Sequence, residues 1–157
     1  MLVSDFMTRD PITSEPTTSL RLVAQMMATH DCAAIPIVRS NAVVGIVTDR
    51  DIACRAVAPG WNASEIPAGA VMTSPAIAVH PEEPWESAVA LMKENRIHHL
   101  IVIDGDGAPV GIVAQSDLGR RMNNRELGEL VRVTSIRHPF GSACLPMAYS
   151  GRVRDEA

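Results

Sequence analysis

Aromatic residues are scarce in this chain of 157 residues, with two Phe, two Trp and one Tyr. Any core must therefore be built from Val, Ile, Leu, Met and Ala, and there are few platforms on which single-stranded bases could stack. Positive charge is also in deficit. Lys and Arg number 14 against 18 Asp and Glu, a formal net charge of -4, which opposes the counterion-release binding that nucleic-acid proteins use and argues against a nucleic-acid partner. Long apolar runs are missing. Stretches such as Leu100 to Ile103 fall far short of a bilayer span, and the start MLVSDFMTRD carries Asp5 early, so neither a membrane partner nor a signal peptide is expected. The three cysteines, Cys32, Cys54 and Cys144, form no CxxC pair, which fits reduced thiols in a cytoplasmic protein and reads Cys32 and Cys54 as small buried apolar residues.

At 46% hydrophobic and 20% charged residues the chain belongs to the compact class and buries about two-thirds of its surface on folding. It is too short for a (β/α)8 barrel or a two-domain dehydrogenase. Its strongest feature is an internal repeat. Met7-Thr8 recurs as Met72-Thr73, each soon followed by proline (Pro11, Pro75). The helix-like run ending at Met27 recurs at Met92, and Val44-Gly45-Ile46-Val47 with Asp51 recurs as Val110-Gly111-Ile112-Val113 with Asp117. Leu20, Val23, Met26 and Met27, and then Trp85, Ala88, Val89, Leu91 and Met92, have helical spacing behind helix-start signals. The β-branched runs 34–38 and 99–103 predict buried strands, each followed by a turn and a second strand ending at Val47 or Val113. Each copy reads β-α-β-β-α, with its first strand after Pro11 or Pro75. The predicted fold class is α+β, two tandem units packed sheet to sheet with pseudo-twofold symmetry, over residues 1–60 and 61–124. Residues 125–157 form an extension: Arg125 to Arg132 could add a short helix, and the rest reads as an arm, mobile or docked on a neighbouring subunit.

Chemistry concentrates at Gly45-Ile-Val-Thr48-Asp49-Arg50-Asp51, where a buried strand gives way to a helix. Thr48 and Asp51 have the spacing of a capping box, which needs no ligand. The same geometry offers a helix start and a hydroxyl to a phosphate, and a carboxylate to ribose hydroxyls. Both readings stay open on local physics. In Arg96-Ile-His98-His99-Leu, the two histidines precede a strand, where one could be solvated and one packed. Metal ligation by the pair is disfavoured because neighbours on a strand point to opposite faces. GxxxxGK[ST], HExxH and GxSxG are absent, and Gly105-Asp-Gly107 has the context of a hairpin turn. Glu82-Glu83 suit the first turn of a helix, and Met26, Met27 and Met92 suit a core. No nucleophile and base are assembled as an enzyme would need.

The duplicated unit, starting near Met-Thr and ending in Gly-h-h-Thr-x-x-Asp (h apolar), resembles a pair of cystathionine-β-synthase-type (CBS) domains, the Bateman module, over positions 1 to about 122. The resemblance implies a non-enzymatic regulatory module, often a disc-like homodimer, that requires no cofactor and takes AMP, ADP, ATP or S-adenosylmethionine in clefts between the repeats. It implies that Thr48, beside Arg50, contacts phosphate, that Asp51 holds the ribose, and that adenine lies against the backbone of Ile35, Pro36 and Ile37. In the second copy Asp117 keeps the ribose position while Ala114 replaces the hydroxyl. His98 and His99 match basic residues that reach phosphates in relatives such as the γ subunit of the AMP-activated kinase; the first copy has Ala33-Ala34 there. Cys144-Leu-Pro-Met-Ala148 is similar to the end of stand-alone actinobacterial members linked to the hypoxic stress response. The alternative expectation is a protein-interaction dimer module with filled clefts and no nucleotide response.

Overall fold

A computed structural model describes residues 1–120 and 122–135. The first unit contains β1 (Thr8–Arg9), α1 (Leu20–His30), β2 (Ala34–Arg39), β3 (Ala42–Thr48) and α2 (Asp49–Ile52), which runs on as a π-helical turn through Val57. The second contains β4 (Ala78–Val79), α3 (Trp85–Asn95), β5 (His99–Ile103), β6 (Pro109–Ala114) and α4 (Gln115–Gly119), and α5 (Asn124–Ser135) follows. The expected helix in the extension is therefore present and packs on its own chain, whereas Cys144 to Ala148 lie outside the described residues.

Helices α1 and α3 form for the reasons their periodicity gives. Ser19 accepts from the Leu22 amide at 3.4 Å and starts α1, whose buried stripe is Leu20, Val23 and Met27. Ala88 and Met92 form the corresponding stripe of α3. Both helices stop at a left-handed residue, Asp31 (φ 49°) and Arg96 (φ 52°), whose amides return to the Met27 and Met92 carbonyls. Each stripe packs on one face of a sheet: Ile35, Ile37 and Val47 under α1, Leu100, Val102 and Val113 under α3. On the opposite face Pro36 and Ile101 are also buried.

The expected first strand forms in the second unit but not in the first. After Pro75 a strand forms, β4, parallel to β5; after Pro11 only Ser14 bridges Ile37. More important, the Met-Thr segments lie on the opposite unit's sheet. β1 pairs with β6 (Thr8 with Ile112), and Thr73 pairs with Ile46 of β3. The chain ahead of each helix is exchanged as well: the Val3 and Ser4 amides donate to the Glu83 and Pro81 carbonyls, and the Ala68 and Gly69 amides to the Thr18 and Pro16 carbonyls. The units are interleaved rather than merely stacked. A segment of two or three residues cannot be a stable strand alone; it orders by completing an edge that the other unit supplies.

Candidate functional site

Where β3 ends, Thr48 and Asp51 make both halves of a capping box. The Thr48 hydroxyl accepts from the Asp51 amide at 3.2 Å and donates to Asp51 Oδ2 at 2.9 Å, and that oxygen also accepts from the Thr48 amide at 2.9 Å. Asp51 is 3% exposed. Its other oxygen, Oδ1, lies 3.5 Å from Arg55 Nη1, which donates to the Val71 carbonyl at 2.7 Å and to the Thr73 hydroxyl at 3.3 Å. The candidate ribose carboxylate is thus tied through Arg55 to the exchanged segment of the second unit. Burial raises the Asp51 pKa above the ordinary carboxylate value, an effect larger than the opposing pull of the Thr48 amide, Arg55 and the Thr48 hydroxyl.

Asp117 repeats half of this arrangement, its Oδ2 accepting from the Ala114 amide at 2.8 Å. With alanine at position 114 there is no hydroxyl to match Thr48. Arg50 is exposed on α2. Ile35 and Ile37 have no exposed surface, and the carbonyl of buried Pro36 accepts from the Ser14 amide. They follow Ala34, which pairs with Thr48 in the β2–β3 register.

The histidines divide as strand geometry requires. His98 is exposed, and its Nε2 lies 3.3 Å from the Thr134 carbonyl of α5. His99 is half-buried on β5, opposite Ala114. Desolvation lowers its pKa first, His98 lowers it further, and the carboxylates of Asp49, from the first unit, and Asp117 oppose both. His99 therefore feels both α2 and α4, the two helix starts. Because its folded pKa lies below the reference 6.5, the unfolded chain takes up the proton more readily. This part of the stability is present above pH 6.5 and is lost as pH falls through that value toward the folded pKa. Thermal melts of wild type and His99→Gln between pH 8 and about 5.5 should show a steeper acid-side loss in the wild type; parallel curves would contradict the assignment.

Asp49, Arg55 and Gln115 were not singled out from sequence. Only Arg55 left a readable signal, its i, i+4 spacing from Asp51. Cys32 and Cys54 are half-buried rather than fully buried, and burial raises the Cys32 thiol pKa, the opposite of a reactive thiolate. Among the described residues no group of three or more His, Cys, Asp or Glu could hold a metal ion, and no helix is long and apolar enough to cross a membrane.

The CBS domain model matches residues 3–56 and 68–124. The chain belongs to the CBS domain family. This CBS pair is 34% identical over 137 residues to CBS domain-containing protein YhcV of Bacillus subtilis, covering 87% of this chain and 95% of that one. The CBS domain protein PAE2072 of Pyrobaculum aerophilum, solved in complex with AMP, superposes with a TM-score of 0.71 at 27% identity over 84% of this chain and 99% of that one. The CBS domain pair of MJ0100, solved with 5'-methylthioadenosine and S-adenosyl-L-methionine, gives 0.69 at 30% identity over 76% and 94%. The α+β architecture of tandem CBS units expected from the repeat is the one observed.

Proposed function

We propose that this CBS pair is a non-enzymatic, cytoplasmic regulatory module that binds an adenine nucleotide or nucleoside between its two units and signals by shifting the population of its conformations. The observation that carries this reading is that two relatives of the same fold, at 27% and 30% identity, hold adenine-containing ligands. The chain's own residues are suited to the task. Thr48 and Arg50 face phosphate, and Asp51 takes the ribose, a carboxylate having lone pairs beyond those used by Thr48. In the second cleft Asp117 takes the ribose, with His98 and His99 toward phosphate. Adenine lies against the backbone of the Ile35-Pro36-Ile37 strand. Leu22 of α1 and Val57 in the turn after α2 are 49% and 63% exposed, and a homodimer would cover them.

Thermal shift with AMP, ADP, ATP, S-adenosylmethionine and NADH tests the reading. A ligand at one hundred times its Kd adds about 2.7 kcal/mol, expected to raise Tm by about 5–10 °C in a chain of this size. Asp51→Asn, which keeps an acceptor for the Thr48 amide, should remove the first cleft's share of the shift. No shift with any of the five compounds would overturn nucleotide binding and favour an interaction module.

A further inference from the structure

Met7 and Met72 hold the same place in the two copies, each immediately ahead of the threonine that pairs with the opposite unit's sheet. Each sulfur rests in a notch that a glycine leaves open. A Cβ built on Gly111 would stand 2.6 Å from Met7 Sδ, and one on Gly45 the same distance from Met72 Sδ, so each thioether fills the space where any other side chain would begin. The glycine belongs to the opposite unit in both cases. Met7 and Met72 are half-buried, packed at the margin of that unit's core, whereas Met27 and Met92 lie inside the cores, 7% and 0% exposed. Water therefore reaches the two pegs. The residues on either side of Met72 carry bonds that cross between the units. The Thr73 amide donates to the Ile46 carbonyl at 2.9 Å and the Ile46 amide to the Thr73 carbonyl at 3.0 Å, while Arg55 Nη1 donates to the Val71 carbonyl and the Thr73 hydroxyl. The same nitrogen faces Asp51 Oδ1 at 3.5 Å.

We propose that Met7 and Met72 are a paired oxidation site, at which a hydroperoxide converts each thioether to a sulfoxide and so loosens the exchanged segments from the opposite unit's sheet. A lone pair of Sδ attacks one peroxide oxygen and the O–O bond breaks. With hydrogen peroxide the transferred oxygen gives its proton to the departing hydroxide, which leaves as water; the sulfur loses two electrons and the peroxide gains them. The product is polar and chiral where the thioether was apolar and pliable. An oxygen directed at the strand meets the glycine backbone, and one directed away makes the peg a polar group that favours water over the notch. Loss of the Met72 peg frees the segment on which Arg55 is anchored, so the change reaches Asp51. No nucleotide enters this device, and reduction of the sulfoxide reverses it.

The test treats the full-length protein with hydrogen peroxide, locates the sulfoxides by peptide mass spectrometry, and follows hydrogen exchange and thermal melting. Sulfoxide should form at Met7 and Met72 while Met27 and Met92 stay reduced in the folded protein. The amides of Ile46 and Thr73 should then exchange about tenfold faster, Tm should fall, and treatment with a methionine sulfoxide reductase and a dithiol should restore both. In the wild type the lost protection should track sulfoxide at Met7 and Met72 rather than at Met1, Met26 or Met122, which are also open to the oxidant. The Met7→Leu, Met72→Leu double variant, apolar and without a thioether at either position, should lose the response. Thioethers intact at both positions once Met1 is fully oxidised overturn the proposal, as do sulfoxides at both with unchanged exchange and Tm, or a double variant that keeps the full response.

Discussion

Arg55→Met is expected to destabilise the protein by about 3–5 kcal/mol at pH 7, because it removes one partner of a buried ion pair and leaves the other charge in place. Arg55 is 7% exposed and Asp51 3%. The substitution also strips the Val71 carbonyl of the donor that reaches it at 2.7 Å, so the exchanged segment loses a tie to the first unit. The pH dependence has a definite sign. The folded pKa of Asp51 is already raised by burial, and without Arg55 it rises further, so the folded state binds this proton more tightly than the unfolded chain. Such a group weakens the fold as pH climbs through its folded pKa, and the deficit of the variant should shrink on acidification. Urea unfolding of both proteins at pH 7 and about pH 4 reads this directly. A variant within about 1 kcal/mol of wild type at pH 7 would show that the pair neither stores charge nor holds the two units together.

Gly45→Ala should cost about 1–3 kcal/mol through overpacking, although a glycine-to-alanine change in ordinary strand backbone is otherwise favourable. A Cβ at position 45 would stand 2.6 Å from Met72 Sδ and 3.0 Å from the Thr73 carbonyl oxygen. At Gly111 the pseudo-symmetric Cβ would meet only Met7 among its three nearest atoms, with Sδ again at 2.6 Å. The two sites therefore predict different rescue. Met7→Ala should recover most of the stability lost in Gly111→Ala, since a flexible side chain causes the clash. Met72→Ala should recover only part of the loss in Gly45→Ala, because the Thr73 backbone remains. Double-mutant cycles by thermal or urea unfolding measure both couplings: equal, full rescue at the two positions would contradict the close approach of the Thr73 backbone to Gly45, and no coupling at either would contradict the interleaving.

How legible the molecule is from sequence depends on the range of the interaction. The helices α1 and α3, the strand pairs and the start of α2 are written in contiguous residues: Ser19 caps its own helix, Leu20, Val23 and Met27 share a face, and Thr48 and Asp51 bond across three positions. The segment at Thr8 pairs instead with Ile112, and no local period announces a partner so distant. His99 is similar. The residue is visible in the sequence, but its depressed pKa comes from burial and from neighbours that include Asp49 of the other unit. The glycines of the two Val-Gly-Ile-Val runs mark the repeat in the sequence, but their reason lies in Met72 and Met7.

The sequence alone therefore determined that one small unit occurs twice, that each copy has an amphipathic helix and a strand pair, and that a hydroxyl and a carboxylate stand at the start of a helix. These follow from periodicity and capping, which act within a few residues. Tertiary structure alone decided that the Met-Thr segments change places, that Asp51 is buried against Arg55, and that α5 lies beside His98 and Gln115. Each of those results requires the burial of surface supplied by the other unit or by a distant helix, and burial is a property of the packed whole.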